Sequence, residues 1–334
     1  MTELWMGAYT ANMGGDGRGI CALRLSDHGL QYQGVAAVAG SPSFLVHSAN
    51  GGMLYAVDEG SGRVEAFART GRGAELVPVG GQPTTGTTPC HLSVTPEWLY
   101  ASNYGSGSVD VFPLAEDGSV GPVAVTLNPA IETGTASGPA EEQDGPHAHS
   151  TLTFGDTVLV ADLGSDRVFV YRWRDGRLDL DTAIEFPAGT GPRDFVVSPV
   201  AGKVFVLGEL DGSVFTLGGG RNLKIMRAGH TGAVAGDHAA GLAIDSGGRF
   251  LYTGLRGSNR VVVLDSLTLE PIAEVPSGGT IPRHLCLVGA TLLVANQESG
   301  TVASFRIDAE TGVPTPSGQP LFVDSPSYLL ADVD

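Results

Sequence analysis

One short phrase returns at a near-constant interval along this chain, and nothing else in the sequence restricts its fold so tightly. The phrase opens on a turn residue, most often proline, then passes one variable residue into an apolar run. It reads Ser41-Pro42-Ser43-Phe44-Leu45-Val46, Thr88-Pro89-Cys90-His91-Leu92-Ser93 and Gly145-Pro146-His147-Ala148-His149-Ser150. It returns as Gly191-Pro192-Arg193-Asp194-Phe195-Val196, the proline-free Gly236-Asp237-His238-Ala239-Ala240, Ile281-Pro282-Arg283-His284-Leu285 and Ser325-Pro326-Ser327-Tyr328-Leu329-Leu330. Successive turn residues are 47, 57, 46, 45, 45 and 44 positions apart. A period in the forties, built of short strands and tight turns, is the mark of a β-propeller.

A second phrase alternates with the first: an apolar strand that ends in polar residues and a glycine turn. Examples are Leu54-Tyr55-Ala56-Val57-Asp58-Glu59-Gly60, Leu99-Tyr100-Ala101-Ser102-Asn103-Tyr104-Gly105 and Leu251-Tyr252-Thr253-Gly254-Leu255-Arg256-Gly257. Each repeat then supplies two inner and two outer strands, the four-stranded unit of a blade. The seventh copy is split, because Leu4 to Tyr9 lacks a first phrase and Ser325 to Leu330 lacks a second. The expected fold is all-β: a seven-bladed propeller spanning 1–334 as a single domain. The C-terminal strand closes the N-terminal blade and removes a free sheet edge. Glycine, at 49 of 334 residues, matches the demand for tight turns.

Charge narrows the partners. Nineteen basic against 36 acidic residues leave a formal charge of −17, which argues against nucleic acid, whose binding needs a basic surface. No apolar run is long enough to span a membrane. Three scattered cysteines (Cys21, Cys90 and Cys286) without a CxxC pair suggest a reducing compartment. With no leader-like segment at the start, the expected location is cytoplasmic. Oligomeric state is left open.

In a propeller, the start of each innermost strand and the end of the next strand share one face. Two rings of side chains follow from aligning the phrases. One reads Ser43, Cys90, His147, Arg193, His238, Arg283 and Ser327; the other Tyr9, Glu59, Tyr104, Leu163, Glu209, Arg256 and Gln297. Such a mixture of acids and bases in a concave site suits proton transfer on a small anion. His149 aligns with apolar residues in the other copies and lies two positions from His147, so on a regular strand both point the same way. The competing structural readings are a hydrogen-bonded histidine and arginines that merely neutralise Glu59 and Glu209. Asp58, Asn103 and Asp162 share one slot and offer oxygen ligands to a hard cation, but no metal is expected. The segment Leu127 to Asp144 lengthens one repeat, either as a plain surface insertion or as a loop carrying function.

At Gly145-Pro146-His147-Ala148-His149-Ser150, Asp162-Leu163-Gly164-Ser165-Asp166-Arg167-Val168, Gly191-Pro192-Arg193, Gly208-Glu209-Leu210, Arg256-Gly257 and Ala295-Asn296-Gln297 the chain resembles the seven-bladed lactonase family. That family includes propeller-type 6-phosphogluconolactonases and a fungal carboxy-muconate cycloisomerase. The resemblance implies a His, two Arg and a Glu at the site, which fall on the His147/His149 pair, Arg193, Glu209 and Arg256, with His149 the expected catalytic member and Glu209 or His149 the base. Substrate contacts would come from His91, Tyr104, His147, Arg283 and Gln297. It also implies a small anionic lactone or carboxylate substrate and no cofactor. Lactone hydrolysis is the leading expectation, cyclisation of a carboxylated muconate and a non-catalytic binding platform the alternatives. One departure stands out, since Asp194 follows Gly191-Pro192-Arg193 where the family usually has histidine.

Overall fold

The computed structural model describes residues 1–70, 75–134, 137–200 and 202–332. Seven antiparallel sheets of at least four strands follow one another along the chain, a seven-bladed β-propeller. The first strands of the blades are Leu45–His47, Pro89–Val94, Ala148–Phe154, Pro192–Val197, Ala239–Ile244, Pro282–Val288 and Pro326–Ala331. Their partners are Met53–Asp58, Trp98–Asn103, Thr157–Asp162, Val204–Gly208, Phe250–Leu255, Thr291–Asn296 and Thr2–Ala8, in the same order. The split copy is resolved as expected, because Pro326–Ala331 pairs with Thr2–Ala8. One sheet departs from four strands: the two-residue strand Leu321–Phe322 adds to Thr301–Ile307.

Burial explains the sequence pattern. Second strands such as Met53–Asp58, Thr157–Asp162 and Phe250–Leu255 are buried at every position, so they carry continuous apolar runs. Outermost strands, such as Lys224–His230, are mostly exposed and carry charge. Packing between consecutive blades is apolar. Tyr55, Val57 and Val64 meet Leu92, Leu99 and Phe112 in one cluster, while Phe205, Leu207 and Val214 meet Leu242, Leu251 and Leu264 in another. The repeated Leu-Tyr pair has a second use. Tyr55 and Tyr252 are buried and donate their hydroxyls to the carbonyls of Gly118 and Gly312, both at 2.9 Å. A buried phenol needs such an acceptor.

Contacts divide the described residues into two compact units. One comprises Met1–Met6, Leu23–Gln33 and Arg193–Asp332; the other holds Gly7–Ala22 and Gly34–Pro192. Among the described residues no helix is long and apolar enough to cross a membrane.

Candidate active site

Backbone hydrogen bonds correct the alignment of the first phrase at two blades. Glu59, Tyr104, Leu163, Arg256 and Gln297 donate their N–H groups to the carbonyls of Ser41, Thr88, His147, His238 and Ile281. His147 and His238 therefore stand where other blades have the residue before proline, and Ala148 and Ala239 take the proline's place. The inner slot reads Ser43, Cys90, His149, Arg193, Ala240, Arg283 and Ser327. What this turn needs is an accepting carbonyl followed by extended chain, which alanine supplies as well as proline. Pro146 sits two residues earlier, at the end of the lengthened loop.

The same register shows how His149 is aimed. First strands carry a one-residue bulge at Cys90, His149 and Arg283, where pairing slips between the flanking residues. A bulge redirects a side chain without breaking the sheet. His149 thus shares a slot with arginines rather than with core leucines, and strict alternation with His147 does not apply.

In the unit of Gly34–Pro192, Tyr104 brings both histidines together. His147 stacks on its ring with centroids 4.5 Å apart, and His149 meets it edge-on at 5.8 Å. His147 is tightly held: its Nδ1 donates to the Tyr104 carbonyl at 2.8 Å, and its Nε2 lies 2.9 Å from Asp144. Asp144 comes from the end of the inserted segment, which is anchored at Gln143 and Asp144. Buried Gln143 donates to the Leu163 carbonyl and to Asp166, both at 2.8 Å. Nearby, Gly164 approaches so closely that a Cβ would lie 1.7 Å from the Gly145 carbonyl oxygen, which explains the glycine in that motif. The cation reading of Asp162 is replaced by a turn. Its Oδ1 accepts the N–H groups of His147, Gly164 and Ser165, and burial raises its pKa against those bonds. Among the described residues no group of three acidic, histidine or cysteine side chains is placed to hold a metal.

The unit of Arg193–Asp332 holds the arginines. Buried Glu209 accepts from Arg193 through Oε2 and from Arg256 through Oε1, and His238 Nδ1 lies 3.5 Å from Oε1. Arg256 also donates from Nε to the His238 carbonyl at 3.2 Å. Desolvation, aided by the charges of Arg193 and Arg283 and opposed by Glu209, lowers the Arg256 guanidinium to about 10. It stays charged at neutral pH. Two arginines on one glutamate, with the charge of Arg283 also acting on Arg256, leave net positive charge, which suits an anion. Gln297, in the blade of Arg283, is half-buried.

The position after the inner slot links neighbouring blades. His91 Nδ1 accepts the N–H of Thr151 at 3.4 Å while its ring rests on Phe44, 4.1 Å between centroids. His284 Nδ1 accepts the N–H of Leu329 at 3.2 Å. Asp194 does the same for Leu242 at 3.0 Å and also accepts from Phe195 at 2.8 Å. The departure from histidine keeps the acceptor and changes its charge. Desolvation raises the Asp194 pKa, opposed by Arg193 beside it. Sequence reasoning could not assign this bridge, because donor and acceptor are about 45 or more residues apart. Asp144, His238 and Asp194 were thus absent from the expected site set, although His238 and Asp194 lay inside the first phrase.

Fold and inner slots together define a seven-bladed propeller with an arginine-rich, anion-suited set of inner side chains. The sequence model of the family described as lactonase, 7-bladed beta-propeller, matches residues 3–331. The chain belongs to that family. A 6-phosphogluconolactonase of Bacillus subtilis is 29% identical over 329 residues, covering 92% of each chain. The solved structure of a putative 6-phosphogluconolactonase from Bacteroides fragilis superposes with a TM-score of 0.91 at 25% identity, covering 100% of this chain and 98% of the other. A periplasmic gluconolactonase of Pseudomonas aeruginosa superposes at 0.88 with 27% identity, covering 99% of each.

Proposed function

We propose that the protein hydrolyses the lactones of sugar acids, with 6-phosphogluconolactone as substrate. The observation that carries this reading is the arginine cluster: Glu209 joined to Arg193 and Arg256, with the Arg283 charge acting on Arg256. Such a cluster binds an anion and stabilises the oxyanion formed when a carbonyl is attacked. The family match and the relatives named 6-phosphogluconolactonase support the substrate class.

In the reaction, a water oxygen bonds to the lactone carbonyl carbon and the ring C–O bond breaks. An aldonate and one proton are released. No atom changes oxidation state, so the step needs no redox cofactor. Arg193 or Arg256 stabilises the oxyanion, a contribution of about 3 kcal/mol for one donor. With both Glu209 oxygens engaged by guanidinium groups, this carboxylate acts first as their counter-ion and positioner. We assign the proton acceptor to His149, which stands at a strand bulge like that of Arg283. General-base catalysis of this kind contributes on the order of 10²–10⁴-fold. His147, stacked on Tyr104 and tied to Asp144, positions rather than reacts. Arg283, His91, Tyr104 and Gln297 are assigned to substrate contact.

The reading extends 1–334 as a single domain, in keeping with an unbroken family match over 3–331. The thiols of Cys21, Cys90 and Cys286 favour a reducing compartment such as the cytoplasm. The decisive experiment mixes purified protein with freshly made 6-phosphogluconolactone and follows acid release. Opening well above the spontaneous rate is expected, with a loss of roughly 10²–10³ in kcat for folded Arg193→Ala. A rate equal to the spontaneous one removes the substrate assignment.

A further inference from the structure

Glu59 fills the same repeat slot as the residues that donate to the carbonyl before the turn, yet among the described residues no arginine is paired with it. It is only 7% exposed. Its Oε2 accepts the Tyr9 hydroxyl at 3.0 Å and the Ser43 hydroxyl as well. Among the described residues no cation lies within ion-pair distance of it, and Oε1 has no protein partner. An ionised carboxylate accepts only, with about four lone-pair sites on its two oxygens. Two hydroxyls fill one oxygen and hold the group's orientation. The other oxygen remains for a ligand.

The ligand's chemistry follows from what the site lacks. A metal ion needs several ligands, and the described residues offer no such group there. Neutral donors already satisfy Oε2, so the pattern is continued by further hydroxyls. The proposed substrate is a ring bearing several hydroxyls beside its carbonyl.

We propose that Glu59, oriented by Tyr9 and Ser43, accepts hydrogen bonds from the hydroxyl groups of the lactone and thereby selects hydroxylated over hydroxyl-free lactones. This rests on the hydrolase reading above. It makes Glu59 a specificity-determining residue, distinct from the groups that act on the carbonyl.

The test compares wild type with Glu59→Gln on glucono-1,5-lactone and on δ-valerolactone, which has no hydroxyls. Calorimetric titration with sodium gluconate runs in parallel. The expected result is a fall of roughly tenfold in the ratio of kcat/KM values, gluconolactone over valerolactone, carried by KM. The Kd for gluconate should weaken by a similar factor. Tyr9→Phe, which removes one of the two orienting donors, should shift both in the same direction by less, and it serves if Glu59→Gln does not fold. An equal loss on both lactones would mean that Glu59 acts at the reacting atoms, and an unchanged ratio that it touches no hydroxyl; either overturns the proposal. If the wild type opens neither of these lactones nor 6-phosphogluconolactone, the hydrolase reading fails and titration decides alone. Gluconate bound by wild type and weakened in Glu59→Gln sustains the hydroxyl site, whereas no binding or an unchanged Kd overturns it.

Discussion

Glu59 and Glu209 close the second strand in two repeats of one plan, and their environments are opposite. Glu209 is gripped by Arg193 and Arg256 with His238 nearby; Glu59 is gripped by the hydroxyls of Tyr9 and Ser43. The inner slot opposite each glutamate makes the difference, since arginine stands there for Glu209 and serine for Glu59. A repeat therefore dictates where a carboxylate is delivered, while one cross-strand neighbour decides whether it is a counter-ion or an acceptor with a free oxygen. Seven copies of one backbone can in this way present seven different chemistries.

The largest test of that contrast is stability. Glu209→Ala leaves two arginines without their counter-charge and should cost about 3–5 kcal/mol, read from urea unfolding. Glu59 strands no cation, so a comparable loss in Glu59→Ala would erase the distinction. A second test uses pH. His284 binds a proton only near pH 3 when folded, through desolvation and the charges of Arg193 and Arg283, against 6.5 as its ordinary value. Unfolding thus takes up a proton between those values. The stability this group contributes is complete above about pH 6.5 and is lost as pH falls toward 3. Folded His284→Gln, which keeps an acceptor for the Leu329 N–H, should show a shallower decline from pH 6.5 to 4 in paired urea titrations. Identical slopes would show that burial and the nearby arginines do not lower this histidine's pKa on folding. The smallest effect belongs to Tyr9→Phe, where one hydroxyl donor is removed from Glu59 at a cost of about 1–2 kcal/mol in the same assay.

Much of this was legible beforehand, for identifiable reasons. Continuous apolar runs such as Leu54-Tyr55-Ala56-Val57 announce strands buried on both faces, and that is how Met53–Asp58 lies. The split seventh repeat foretold the pairing of Pro326–Ala331 with Thr2–Ala8. Arg193, Glu209 and Arg256 stand out in the sequence as polar residues in repeat slots, and the structure joins both arginines to the glutamate. Proline as the marker of the turn aligns Pro146 and sets His149 among leucines, whereas the backbone register puts Ala148 in the proline's place and His149 at the bulge. Asp194 was visible as a departure, but its bond to Leu242 lies 48 residues away in sequence and left no local trace.

The sequence by itself determined the number of blades, the order of strands and the residue types reaching the inner slots, because hydrophobic periodicity and turn chemistry act over a few neighbouring residues. Tertiary structure decided the register of the His147 and His238 turns, the anchoring of the inserted segment through Gln143, and the partners of Glu59 and Glu209. Those depend on hydrogen bonds and charges between residues tens of positions apart, whose strength is set by distance and burial rather than by sequence spacing.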